Sequence, residues 1–467
     1  MTTNETGSKL YLVGITMVAI LGGLLFGYDT AVISGAEQAL QHFFESATDF
    51  VYTPALHGMT ASSALIGCIV GGAISGVLAN KFGRRNSLMI AATLFFLSAL
   101  GSFNPEFLLF EYGTPTAELL VAFNIYRVIG GIGVGLASAV CPMYIAELAP
   151  ANIRGTLVSC NQFAIIFGML VVYFVNYAIK NSLEGVDEMI SIGWRRMFLS
   201  ESVPAALFGL LLLLVPKTPR YLAITGDMRG AMEVLTRING TKSATHILDE
   251  IKSTIREKSE PLFAYGALVV VVGILLSIFQ QAIGINVVLY YAPRIFEGLG
   301  SSGDAAMLQT VVMGVINIAF TMVAILTVDK WGRRPLLIVG SVGMMIGMVA
   351  LGTLSFMDQI GIAALIFIVI YTASFMMSWG PICWVLIAEI FPNTIRGKAI
   401  AIAVAAQWLA NYTISSTYIP LTQWSIGGTY LIYALFCFLS IIFVWKFVPE
   451  TKGKSLEDMS RLWRERR

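Results

Sequence analysis

Lys81-Phe-Gly-Arg-Arg85 and Lys330-Trp-Gly-Arg-Arg334 are two copies of one short basic motif in a chain of 467 residues. Two further pairs repeat in the same order. Glu147-Leu-Ala-Pro-Ala-Asn-Ile-Arg154 returns as Glu389-Ile-Phe-Pro-Asn-Thr-Ile-Arg396, and Pro216-Lys-Thr-Pro-Arg220 is echoed by Pro449-Glu-Thr-Lys452. The offsets are 249, 242 and 233 residues, about half the chain each. Chance matches would not keep that order, so the chain reads as a duplication with the same motif at the same point of each half.

What lies between the motifs decides the fold class. Twelve apolar runs fall near 11–34, 57–80, 87–103, 117–141, 155–178, 195–215, 264–292, 306–329, 335–356, 361–388, 397–422 and 428–448. Runs of about 20 residues match a membrane-spanning helix, whereas membrane strands alternate over segments of about ten. Of all residues 57% are apolar and 12% charged, against about 45–50% and about 25% in a soluble domain. An ordinary soluble enzyme is excluded. The net charge of +2 points to no nucleic acid or acidic partner. The first run follows a polar Met1–Lys9 without a small-residue exit and reads as a retained span. Five cysteines inside apolar runs, none in CxxC spacing, and three histidines give no metal site, and no cofactor is expected.

Lysine and arginine set the expected orientation. Alternate loops, the start and the tail carry 25 of the 30 basic residues. The other face has only Lys180, Arg195, Arg196 and Arg294, and Arg127 lies within a span. The positive-inside rule makes the first set cytoplasmic, with both termini inside. The expected architecture is an all-α membrane protein of twelve helices in two parallel six-helix halves, residues 1–215 and 264–448. Residues 216–263 read as a cytoplasmic loop of short amphipathic helices, and 449–467 as a cytoplasmic tail.

The motifs resemble those of the major facilitator superfamily, and Pro216-Lys-Thr-Pro-Arg-Tyr221 and Pro449-Glu-Thr-Lys-Gly453 resemble the two signatures of its sugar porter branch. Longer stretches are similar to bacterial D-xylose–proton symporters, homologues of the facilitative glucose carriers. These are Gly22–Asp29, Asn161–Gly168, Phe279–Asn286, Trp379–Trp384 and Ala405–Asn411. Asn80 and Lys217 depart from the usual Asp and Glu of the two loop signatures. The resemblance implies a bacterial inner-membrane carrier that moves a monosaccharide with a proton. It also implies gating at the cytoplasmic helix ends, where Arg85, Glu147, Arg154, Asp329, Arg333, Glu389 and Arg396 match residues that pair when the inner side is closed. A purely topological role against lipid headgroups is the alternative.

Three charges lie inside apolar runs: Asp29, Arg127 and Glu201. Each costs about 2.5–3.5 kcal/mol at the bilayer centre, so such residues seldom face lipid. A structural Asp29–Arg127 pair is one reading. The other is a proton site whose affinity changes as the two residues approach or separate. The resemblance favours the second, because proton-coupled relatives carry this Asp and Arg while facilitative relatives have Asn in place of the Asp. Glu201 is expected to modulate that site. The run Gly130-Gly131-Ile-Gly133-Val-Gly135 lies mid-span with no preceding strand and reads as close helix packing, not a nucleotide loop.

The remaining polar residues within spans are mostly amides: Gln162, Gln280, Gln281, Asn286, Asn317, Gln407 and Asn411. An amide offers two donors and an acceptor, which matches sugar hydroxyls, and burying one unpaired costs roughly 2–7 kcal/mol. Seven together imply a shared polar cavity. Gln407 and Asn411, four apart, share a helix face. Gln281 and Asn286 lie about 140° apart on a straight helix, and a break at Gly284 would turn both inward. By resemblance Phe26, Tyr290, Trp384 and Trp408 line the cavity. Gly380-Pro381 is a second expected hinge.

The reading is a carrier for a neutral monosaccharide, most simply D-xylose, and a proton, by alternating access. It works in a lipid bilayer, without nucleic acid, and a monomer is expected. The alternatives are a facilitative uniporter of the same fold and a membrane sugar receptor. Met169 stands where close D-xylose symporters have another Gln in the cavity, which leaves D-glucose as a competing sugar.

Overall fold

The computed structural model describes residues 7–107, 109–150, 153–254, 260–357, 361–453 and 456–465, and every regular element among them is helical. Ten helices among these residues are long and apolar enough to cross a membrane. The other two expected runs are helical but built differently. The sixth divides into Trp194–Ser200 and Ser202–Leu212 around Glu201. Pro204 lacks an N–H and its ring crowds the carbonyl of Ser200, four residues back, so a straight helix cannot pass there. The eleventh, Asn393–Trp424, is one helix of 32 residues. Its apolar character is diluted by Gln407, Asn411 and hydroxyl residues such as Thr413 and Thr417, which donate to carbonyls one turn back at 2.9 and 2.7 Å.

The glycine of the repeated motif turns the chain in both halves. Gly83 has φ +84° between the second and third spans, and Gly332 has φ +91° between the eighth and ninth. A side chain is strained in that left-handed region. There is also no room for one, because the Tyr221 ring and the Glu450 carboxylate occupy the space. Glu450 then accepts the first N–H groups of the ninth span, from Arg333 and Arg334, both at 3.0 Å. Two of the three repeated motifs therefore meet at one helix start.

Within the first half, the first span (Lys9–Glu45) packs on the fourth (Ala117–Leu148) and fifth (Arg154–Asn181), and the fourth also packs on the second and third. A methyl on Gly131 would overlap the Ala64 carbonyl, so the glycine run brings the second and fourth backbones into contact. Within the second half, the seventh span packs on the eleventh, and the ninth (Arg333–Phe356) on the tenth and twelfth. The halves meet along the fifth and eighth spans, the second and eleventh, and the first and seventh.

The expected end of the first span, near residue 34, is too early. The helix runs on to Glu45, because Ala36, Leu40, Phe43 and Phe44 keep one side buried while the other turns polar. Residues 216–263 contain Pro219–Ile224, Met228–Asn239 and Thr241–Thr254, closed by a small core of Ala223, Ala231, Leu235, Ala244 and Leu248. After the twelfth span, Leu456–Glu465 docks through buried Trp463, whose Nε1 donates to Ile390 O at 2.9 Å.

Candidate functional site

A cavity lies between the halves. The first span contributes Phe26 and Thr30, the fifth Gln162, Ile165, Ile166 and Met169, and the seventh Gln280, Gln281, Ile285, Asn286, Leu289 and Tyr290. The tenth adds Phe375, Met376, Gly380 and Trp384, and the eleventh Gln407, Trp408 and Asn411. Of the seven amides singled out in the sequence, only Asn317 is absent from this wall. It is buried in the eighth span with its Oδ1 unpartnered among the described residues. The aliphatic part of the wall, Ile165, Ile166, Ile285 and Leu289, carries no sequence signal, since such residues are ordinary in any span.

Two broken helices shape the wall. The seventh breaks between Ala267–Ala282 and Ile285–Tyr290 at Gly284, φ +91°. The Tyr433 ring fills the place of a Cβ there. The tenth breaks at Met377–Ser378, one turn before Pro381, whose ring would crowd the Met377 carbonyl. In the first turn after the break, the carbonyls of Trp379 and Gly380 accept from Gln280 Nε2 at 3.1 and 3.3 Å.

Counting the amide capacity separates their roles. Gln280 Oε1 also accepts from Gln281 Nε2 at 3.1 Å and from Gln407 Nε2. Gln280 therefore spends two donors and two lone pairs on protein. Gln281 accepts once, from Asn286 Nδ2, and keeps an N–H. Gln407 Oε1 and Trp408 Nε1 are buried at the wall without a partner among the described residues. One turn on from Gln407, Asn411 donates to Tyr290 OH at 3.3 Å and accepts from Ser415 Oγ at 3.0 Å. The Phe26 and Trp408 rings lie 5.6 Å apart across the halves. Such a site presents unspent donors and acceptors between aromatic faces and no formal charge, which suits a neutral polyol.

The three intramembrane charges gather beside it. Arg127 Nη1 contacts Asp29 Oδ1 at 2.5 Å, and Arg127 Nη2 donates to Asp29 O at 3.1 Å. The guanidinium also lies 4.9 Å over the Phe198 ring. Glu201, fully buried at the break of the sixth span, has Asp29 and Arg127 as its charged neighbours. Asp29 Oδ2 and both Glu201 oxygens have no N–H or hydroxyl donor among the described residues. Asp29 is followed directly by Thr30 of the cavity wall, so the first span joins the ionic cluster to the cavity.

At the basic-loop end the geometry differs from expectation in one residue. Arg84, not Arg85, meets Glu147, through Nε at 2.9 Å and Nη2 at 2.8 Å, and its Nη1 donates to Ala79 O at 3.0 Å. Arg85 turns away, reaching among the described residues only Leu213 O at 3.5 Å. Successive helical residues point about 100° apart, so only one of the pair can face the fourth span. The repeat held the signal, because Arg84 aligns with Arg333, which pairs with Glu389 at 3.0 Å. Thr451 Oγ1 donates to the same Glu389 at 2.6 Å. Arg396 is half-buried with Glu389 as its charged neighbour. The side chains of Arg154 and Asp329 lie outside the described residues.

A family model described as "Sugar (and other) transporter" matches residues 15–463. The chain belongs to that family. It is 53% identical to the D-xylose-proton symporter of Escherichia coli strain K12, over 98% of this chain and 97% of that one. The glucose facilitated diffusion protein of Zymomonas mobilis is 37% identical, over 97% of this chain and 98% of its own length. The partially occluded inward-open structure of the E. coli xylose transporter superposes with a TM-score of 0.88 at 51% identity, covering 96% of this chain and all of that one. The two six-helix halves are thus a major facilitator fold, and the protein is a carrier, not an enzyme.

Proposed function

We propose that this carrier moves a neutral monosaccharide, D-xylose, into the cell together with a proton, by alternating access. The observation that carries the reading is the shared first span. Its Phe26 and Thr30 line an uncharged, amide-rich cavity, and its Asp29 sits in a buried cluster of two carboxylates and one guanidinium. That cluster is one positive charge short, and a bound proton supplies it. Movement of the first span on sugar binding then alters the Asp29–Arg127 contact and the hold on the proton. Gln162, Gln281, Asn286, Gln407, Trp408 and Trp384 serve as sugar contacts, while Gln280 positions Gln281 and Gln407. Met169 in the wall offers a thioether where an amide would add a hydrogen bond, and it packs against the carbon that a pentose leaves bare.

The basic loops face the cytoplasm in this reading, with both termini inside, residues 1–215 and 264–448 as the two moving halves, and a single chain as the working unit in a bacterial inner membrane. Arg84–Glu147 and Arg333–Glu389 tie helix ends within each half on that side and bias the state in which the inner side is closed. Uptake into proteoliposomes, with a sugar panel and with or without an imposed pH gradient, tests the reading. D-xylose uptake that never exceeds equilibration under a proton gradient would leave a uniporter, and transport of glucose without xylose would overturn the substrate.

A further inference from the structure

The halves are also joined at the end away from the basic loops, by a buried ionic cluster that transport as described above does not use. Glu37 of the first span is fully buried and accepts from Arg294 Nε at 2.9 Å and Nη2 at 2.7 Å. Arg294 belongs to the second half, on Ala292–Gly298, so the pair crosses between halves. The same carboxylate lies 2.9 Å from Nε2 of His57, which is fully buried on Pro54–Ala61 of the first half. The other ring nitrogen of His57 meets Tyr52 OH at 3.1 Å. Gln41 also accepts from Arg294, and Lys180 pairs with Asp304 across the halves at 3.0 Å.

A Glu–Arg tie needs no histidine, and this one has a histidine hydrogen-bonded on both nitrogens. The Tyr52 hydroxyl can donate to a neutral imidazole or accept from a charged one, so His57 keeps both partners in either protonation state. When the outer side opens, Arg294 leaves with its half. Glu37 and His57 stay together, and the carboxylate is left with no counter-charge, an arrangement that is strongly unfavourable in a buried site. A proton on His57 restores the balance. While Arg294 is in place, the same proton adds a second cation beside the first. The other groups facing this point do not substitute for it. Glu297, on the Arg294 helix, accepts from Gln38 Nε2 across the halves at 2.8 Å and brings a negative charge. Glu45 is engaged with His42 and Gln41, Tyr291 and Tyr418 bring neutral hydroxyls, and the stretch of the eleventh span at Ser416 carries no charge.

We propose that Glu37, His57 and Arg294 form a second proton-binding site, an outer latch in which a proton on His57 replaces Arg294 as the partner of Glu37 when the carrier opens outward. Acid outside then favours the outward-open state before any sugar binds. The latch rests on the alternating-access reading and is independent of which sugar is carried. Proton binding and opening are linked, so each favours the other.

The test places spin labels on the full-length protein at Val51 and Ser302, exposed positions at the outer ends of the two halves, with Cys160→Ser to keep labels off the partly accessible thiol. The background carries Asp29→Asn, which removes the first proton site. Inter-label distances are measured without sugar from about pH 8 to about pH 5, spanning histidine titration. The expected result is a rise of about fivefold or more in the open-to-closed ratio on acidification. His57→Gln keeps an N–H for Glu37 but cannot take the charge, and its ratio should not move with pH. Arg294→Gln should be open at both ends of the range. Retained sugar binding reports that each variant is folded. The same pH response in His57→Gln overturns the latch. A parent that opens with sugar but not with acid overturns it too while leaving alternating access intact, and a parent whose distances respond to neither counts against both.

Discussion

Gln280 lines the cavity proposed for the sugar yet has no unspent amide group to offer one. Its Nε2 donates to Trp379 O and Gly380 O, and its Oε1 accepts from Gln281 and Gln407. In Gln280→Ala four hydrogen bonds go, two of them to carbonyls in the first turn after the break in the tenth span. At about 0.5–1.5 kcal/mol net for each, the empty protein should lose about 2–6 kcal/mol. Gln407→Ala removes one of those bonds and the unpartnered Oε1, so the empty protein should lose only about 1 kcal/mol. Sugar affinity should respond differently. Gln407→Ala deletes a contact proposed for the sugar and should weaken D-xylose by about 1–3 kcal/mol. Gln280→Ala should weaken it as well, because Gln281 and Gln407 lose the group that aims them. Thermal melting of the sugar-free protein in detergent, beside calorimetric titration with D-xylose, separates the two roles. If Gln280→Ala melts with the parent and loses only sugar affinity, Gln280 is a direct ligand and the hydrogen-bond count above is wrong.

Asp29→Asn keeps size and polarity but cannot titrate, so sugar binding and exchange should persist while accumulation driven by a pH gradient disappears. Gradient-driven accumulation in that variant, measured in proteoliposomes, would falsify the proton role. Arg84→Ala leaves Glu147 unpaired in a nearly buried site and should cost roughly 3–5 kcal/mol, whereas Arg85→Ala should cost under about 1 kcal/mol. Equal melting losses in the two would contradict the pairing. For Glu450, partial burial pushes the carboxyl up, but N–H donation from Lys452, Arg333 and Arg334, with the Arg333 charge, holds it below the ordinary 4.5. A lowered carboxyl stabilises above its unfolded value and loses that contribution as pH falls through the folded one. The stability gap between the parent and Glu450→Gln should therefore be constant near neutrality and narrow below about pH 4.5. A gap unchanged in acid means that the clamp on the ninth span does not depend on the charge.

The number of spans, the duplication and the separation of basic from neutral loops were legible in the sequence because they depend on properties summed along the chain. A bilayer sets the length of an apolar run, and the repeated Lys-x-Gly-Arg-Arg sets its phase. The amide chemistry of the cavity was legible for a related reason. Burying so many unpaired amides is expensive, so they imply a common polar space whatever the helix packing, and six of the seven do meet there. Asn317 fails because a residue type states a need for partners without stating where they are.

Direction and pairing were left to the tertiary structure. Neighbours on a helix point about 100° apart, so the choice of Arg84 over Arg85 depends on how the second, third and fourth spans cross, which no local pattern records. Whether an amide touches sugar or only aims another amide depends on which backbone carbonyls a different span brings within its reach. The Glu37–His57–Arg294 cluster joins residues 20 and 257 positions apart, and in the sequence each is one polar residue near the end of an apolar run. A buried charge is stabilised by what stands within a few ångströms of it, and that distance exists only once the two halves are folded against each other.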